Sequence, residues 1–185
     1  MKRQTLKFLL GTLFLICAAM SCEDDAPHVE SVSGTLTDFQ LTHLDNAAER
    51  PKEATDGRVK KEAYMLKISL MSEPEENLSS IDKSRVNFLL HDPIVNIRIF
   101  TETNFREDYP ADSDISSLFA NYPIRIVAGQ LADDDGSLKW VDESSYLFKS
   151  LLTAPTQPGT YLFRVRLIFK SGDIMEKTTE PIVLY

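Results

Sequence analysis

The sequence predicts an all-β fold, an antiparallel β-sandwich of about seven strands with one short helix. Three observations point there. Apolar and polar residues alternate at period two in several runs, the pattern of a strand with one face buried. Turn-forming clusters separate those runs at hairpin spacing. No long helical period and no strand–helix–strand rhythm interrupts them.

Taken in order, Val32 to Thr42 is a weaker strand signal, with Leu36, Phe39 and Leu41 apolar and Gly34 fitting a bulge. Asp45 to Glu62 is polar, with Pro51, Gly57 and little apolar beyond alanines and Val59, and reads as a mobile loop. Tyr64, Leu66, Ile68 and Leu70 then share one face of a strong strand. Ser72 to Arg85 reads as a second mobile segment, which Leu78 and Ile81 can tie down. Val95, Ile97 and Ile99 form the next inward face, opposite Asn96, Arg98 and Phe100. The short helix follows: Asp112 or Asp114 caps it, Ile115, Leu118 and Phe119 share its face, and Asn121-Tyr122-Pro123 stops it.

Ile124 to Leu131 and Leu138 to Val141 read as a hairpin closed by Asp133-Asp-Asp-Gly-Ser137, with Gly136 supplying positive φ. Pro158-Gly159 sets a turn before Tyr161, Phe163, Val165, Leu167 and Phe169, the clearest alternation in the chain. Tyr161 itself suits a corner role, packing its ring and hydrogen-bonding backbone. Ser171-Gly172-Asp173 turns the chain back into Ile174 to Tyr185. That last run is expected to pair with Tyr161 to Lys170 in its own chain rather than be donated to a neighbour, and Pro181, lacking an N–H, suits an edge or a strand start.

The N-terminus follows a different logic. Lys2, Arg3 and Lys7 precede an apolar run from Phe8 to Met20, 13 residues long. That is short of the roughly 20 a spanning helix needs, and it fits a cleaved signal. Ala19-Met20-Ser21-Cys22 resembles a bacterial lipobox, with Ala19 where Leu is usual. The resemblance implies a signal peptide over 1–21, a thioether-linked diacylglycerol on Cys22 and further acylation such as palmitate. A diacyl anchor holds stably where one chain would not, since each buried CH₂ contributes roughly 0.8 kcal/mol. Cys17 leaves with the signal, so no disulfide is available to the mature chain. Residues 22–31 read as a tether and 32–185 as a single domain. Glu23-Asp24-Asp25 resembles the export signal that sends lipoproteins of Bacteroidetes-type bacteria to the outer face of the outer membrane; the alternative is a periplasm-facing anchor.

The chemistry is sparse. With 28 acidic against 20 basic residues the chain does not suit nucleic acid. His28, His43 and His91 have no partners at metal-ligand spacing, and no serine sits in a nucleophile elbow. No cofactor is called for, and the expectation is a protein that is not an enzyme. Asp133 and Asp135 are weak cation candidates, because hard oxygen donors suit Ca²⁺ but consecutive positions suit a turn better. Trp140, Tyr109 and Tyr122 are weak candidates for stacking on a sugar face.

Two stretches carry a family likeness. One runs from Ile97-Arg-Ile-Phe-Thr through Asn104-Phe105 to Tyr109-Pro-Ala-Asp-Ser-Asp-Ile-Ser-Ser-Leu-Phe119. The other is Pro158-Gly-Thr-Tyr-Leu-Phe-Arg-Val165 with Ser171-Gly-Asp and a final strand. With the lipobox they resemble a group of uncharacterised lipoproteins of about this length from gut Bacteroidales. The resemblance implies an immunoglobulin- or fibronectin-like domain and no activity. The expected function is a lipid-anchored, monomeric cell-envelope protein, a non-catalytic surface binding or structural module with a glycan or protein partner. Its alternatives are an accessory glycan-binding lipoprotein of polysaccharide uptake and a pilus or export assembly component.

Overall fold

The computed structural model describes residues 30–74, 86–121, 138–141 and 146–185. The signal segment, Cys22, Tyr122, the Ile124–Leu131 strand and the Asp133–Ser137 turn lie outside the described residues.

Twelve strands are described. They are β1 (Glu30–Asp45), β2 (Lys52–Glu53), β3 (Arg58–Val59), β4 (Tyr64–Pro74), β5 (Val86–Thr101), β6 (Phe119–Asn121), β7 (Leu138–Val141), β8 (Tyr146–Leu151), β9 (Gly159–Tyr161), β10 (Phe163–Phe169), β11 (Ile174–Thr178) and β12 (Ile182–Leu184). Seven of them form one hydrogen-bonded path, β11-β10-β5-β1-β4-β8-β6, with β2 on β1 and β7 on β5; β3-β12-β9 form a second sheet. The long sheet folds back on itself. β11 stands three strands from β1 along that path, yet Lys177 Nζ on β11 lies 2.7 Å from the Asp38 carboxylate on β1. The result is an all-β, sandwich-like body.

The core is the inward set of each alternation. Tyr64, Leu66, Ile68 and Leu70 of β4 face Phe163, Val165, Leu167 and Phe169 of β10, all buried. Tyr64 stacks on Phe163 with ring centres 5.2 Å apart, and Phe119 meets both rings edge-on.

Several expectations are corrected. Val95, expected on the inward face of β5, is exposed, and Ile94 is buried instead. Phe169 pairs with Ile94 while Ile168 pairs with Asn96, so Val95 is the extra residue of a bulge that resets the phase. The bulge in β1 falls at Thr37, between the Leu36–Ser72 and Asp38–Met71 pairs, and not at Gly34, which is paired on both sides. The short helix is a single 3-10 turn, Ser116–Leu118, because Phe119 already begins β6. Most pairings are antiparallel, but β1 and β5 run parallel from Glu30 and Val86, as do β3 and β12.

Asp45 to Glu62 is not a free loop. Lys52 pairs with Asp45, Arg58 pairs with Val183, and Val59 is fully buried in the core. One valine and a few backbone ladders suffice to fix a segment whose composition reads as mobile. Likewise Ser72 to Pro74 belong to β4.

The chain does return on itself after Gly172, whose φ of +94° suits glycine, and Arg164 to Ile168 pair with Ile174 to Thr178. The run then breaks before Tyr185. Thr179 exchanges bonds with Phe163 through its own backbone and Oγ1, and Pro181 has no N–H to extend the ladder. β12 therefore crosses into the second sheet, between β3 and β9, with Ile182 and Leu184 fully buried.

Candidate functional site

β5 carries the site at its far end. Beyond Thr101 the chain leaves the sheet for an irregular stretch, 102–115, which hydrogen bonds of its own backbone and side chains fold up. Phe105 is buried against the rings of Tyr161 and Phe163, at 5.6 and 6.3 Å between centres. The Phe105 and Arg106 N–H groups donate to the Tyr109 carbonyl, and the Tyr109 N–H donates to the Arg106 carbonyl at 3.1 Å. Asn104 Oδ1 accepts from the Ala111 N–H at 3.0 Å, and Asp114 Oδ1 accepts from the Ser116 N–H at 2.9 Å. Tyr161 fills the expected corner. Its hydroxyl donates to the Gln157 carbonyl at 2.6 Å, and burial raises its pKa above the ordinary value.

Between this stretch and the loop before β9 lies an open groove. It consists of two adjoining clefts of about 450 and about 380 Å³ that share Arg106, Glu107 and Thr156. Phe105, Pro110 and Tyr161 give an apolar floor; Asn104, Arg106, Glu107, Asp108, Thr156 and Gln157 supply the polar rim. Arg106 Nε donates to Asp108 Oδ1 at 3.1 Å, which holds the guanidinium at the rim. Such a floor and rim fit a polar ligand with apolar patches, and the size is that of small-molecule sites generally.

An arginine cluster on the outward face of the sheet fastens the groove. Arg98 and Phe100 of β5 lie opposite Arg166 and Arg164 of β10. The guanidinium carbons of Arg164 and Arg166 each stand 4.9 Å from the Phe100 ring centre, and that of Arg98 stands 6.0 Å away. Carboxylates offset the like charges. Arg164 pairs with Glu102, with Asp112 at 3.0 Å and with Glu176 at 3.2 Å; Arg166 pairs with Glu176 at 2.7 Å and Arg98 with Asp114 at 2.9 Å. Asp112 reaches Arg164 from a left-handed backbone position, φ +66°, which Asp tolerates better than most residues. The bond to Glu102 chiefly raises the Arg164 pKa, and the bond from Arg166 chiefly lowers that of Glu176. Three of the four carboxylates, on Glu102, Asp112 and Asp114, belong to the 102–115 stretch. Arginines on the sheet thus hold the groove wall in place.

The residues singled out from sequence do not converge. Tyr109 lies on the 102–115 stretch but does not line the groove; its half-buried ring packs against the core. Trp140 pairs through its backbone with Leu89 near the start of β5, at the opposite end. A third cleft of about 460 Å³ lies near that end, lined by Ser33, Leu89, Leu90, His91, Pro93 and Lys170. Sequence reasoning missed Arg106, Thr156, Gln157 and the arginine cluster. Only the outward Arg98, Arg164 and Arg166 left a trace, as polar positions of strong strands. Among the described residues no group of His, Cys, Asp or Glu is arranged to hold a metal ion. No helix among them is long and apolar enough to cross a membrane.

Fold and groove define an all-β, sandwich-like protein with an open cleft at one end. Residues 36–180 match the family described as a domain of unknown function, DUF5034, and the chain belongs to that family. No curated protein and no solved structure matches it.

Proposed function

We propose that this is a lipid-anchored cell-envelope module of immunoglobulin-like type that holds a polar ligand, a glycan foremost, in the groove at its loop end, without catalysing a reaction. The observation that carries the reading is the groove's position. Glu30, where β1 begins, pairs with Val86, and the groove opens beyond Thr101. The 16 residues of β5 span about 50 Å of strand, so the Glu30 end of β1 and a ligand at Arg106 belong to opposite ends of the body. A surface-facing anchor in the outer membrane would present the groove outward.

Two features support the finer points. The Tyr161 hydroxyl bonded to the Gln157 carbonyl resembles the tyrosine corner of immunoglobulin-like sandwiches and supports that reading. The C-terminal strand fills its own second sheet, which favours a binding module over a donor strand in pilus assembly.

Two experiments test it. Mass spectrometry of the mature protein should find Cys22 as an acylated N-terminus; an unmodified, soluble product would remove the anchor. Glycan-array screening of the detergent-solubilised protein should return a ligand whose binding Arg106→Ala and Thr156→Ala weaken at least fivefold. An array without hits, or hits indifferent to both changes, would refute the glycan reading.

A further inference from the structure

We infer that His43 is an acid-sensitive latch on the C-terminal strand: a second proton on its ring drives it from its place against Glu180 and loosens the 180–181 linker and with it β12. The ring stands between two layers. Its Nε2 lies 2.8 Å from the Glu180 carbonyl and its Nδ1 lies 2.8 Å from the Tyr64 hydroxyl. A carbonyl oxygen only accepts, so Nε2 carries the proton. Nδ1 is then the bare nitrogen, and Tyr64 donates to it.

That assignment makes the latch one-sided. Tyr64 is fully buried, and its ring is clamped by Phe163 and Phe119, so it cannot swing away. A proton arriving on Nδ1 turns the acceptor into a donor, and the hydroxyl must rotate its own hydrogen into the core. The cost of an unmet buried donor falls on the charged form. Two titratable groups bond or face the ring from other elements, Tyr64 on β4 and Glu180 in the linker; on its own strand the Asp45 carboxylate is taken up by the Ala47 N–H at 2.8 Å. Burial lowers the His43 pKa below the ordinary 6.5, against the opposing pull of Glu180.

The sign follows. The closed state binds fewer protons than the opened one, so closure is complete above 6.5 and is lost as pH falls below it. Next to the latch, Val183 and Tyr185 donate to the Gly57 and Val59 carbonyls, and these bonds report on β12 directly.

Hydrogen exchange on the full-length protein, read as protection factors between about pH 7.5 and about pH 5, tests the inference. The opening constant at Val183 and Tyr185 should rise by up to about tenfold per pH unit below 6.5, while Leu66 and Val165 stay protected. In His43→Gln, whose amide can meet both partners without titrating, the same amides should show no such rise. Equal pH dependence in both proteins, or none in the wild type, overturns it. Should the variant fold poorly, NMR titration of the His43 ring decides: a proton on Nε2 and a midpoint below 6.5 support the latch, and a midpoint at or above 6.5 ends it.

Discussion

The two ends of β5 are held by different means. At its start, Val86 to Leu90 lies between β1 and β7, so backbone ladders on both sides fix it. At its finish the chain leaves the sheet, and the 102–115 stretch is fixed by side chains: a buried phenylalanine, an asparagine and an aspartate that take backbone N–H groups, and arginines reaching over from β10 and β5. An irregular stretch is set as firmly as a strand once its backbone groups find partners and one large ring is sunk in the core. That is the arrangement a binding site needs, with variable polar groups on a rigid support.

The comparison can be broken at its strongest point first. Phe105→Ala should destabilise the protein by about 3–5 kcal/mol, since it empties a site ringed by Tyr161 and Phe163. Urea unfolding would measure it. A loss of less than about 1 kcal/mol would mean the stretch is not anchored through that ring.

Arg164→Ala comes next, at about 2 kcal/mol, because three carboxylates lose one guanidinium. Its exchange signature sharpens the contrast. Amides of the 102–115 stretch, Asp112 and Ile115 among them, should lose protection, while Ser33 and Leu89 at the other end keep theirs. Arg164→Lys should recover less than half of the loss, because an ammonium cannot serve three partners as a planar fork does.

Tyr161→Phe removes the corner hydrogen bond and leaves the ring, at a cost of about 1 kcal/mol in thermal unfolding. No change would show that the ring alone makes the corner.

How much of this was legible can be seen on β10. Its inward residues, Phe163, Val165, Leu167 and Phe169, announce themselves by alternation, and all are buried. Its outward residues, Arg164 and Arg166, read only as polar positions. Their partners Glu102, Asp112 and Glu176 lie far off or on other strands, and nothing local marks the pairing. The bulges at Thr37 and Val95 were hidden for a related reason: an ordinary residue can occupy a bulge, and the phase change shows only in the partner's register. Tyr161 was legible because a corner tyrosine bonds within its own segment, to Gln157. The groove was not, since it joins two segments some 50 positions apart whose polar residues resemble those of any loop.

The smallest expected effect on stability goes with the largest on binding. Arg106→Ala should change stability by no more than about 0.5 kcal/mol, as its partner Asp108 is exposed. The measurement that meets the central claim is an NMR shift map with whichever glycan the array returns, recorded on wild type and Arg106→Ala. The account predicts shifts at Asn104, Arg106, Glu107 and Thr156 in the wild type, and their loss in the variant. Shifts gathered instead at Ser33, His91 and Lys170 would put the ligand at the opposite end of β5 and contradict it.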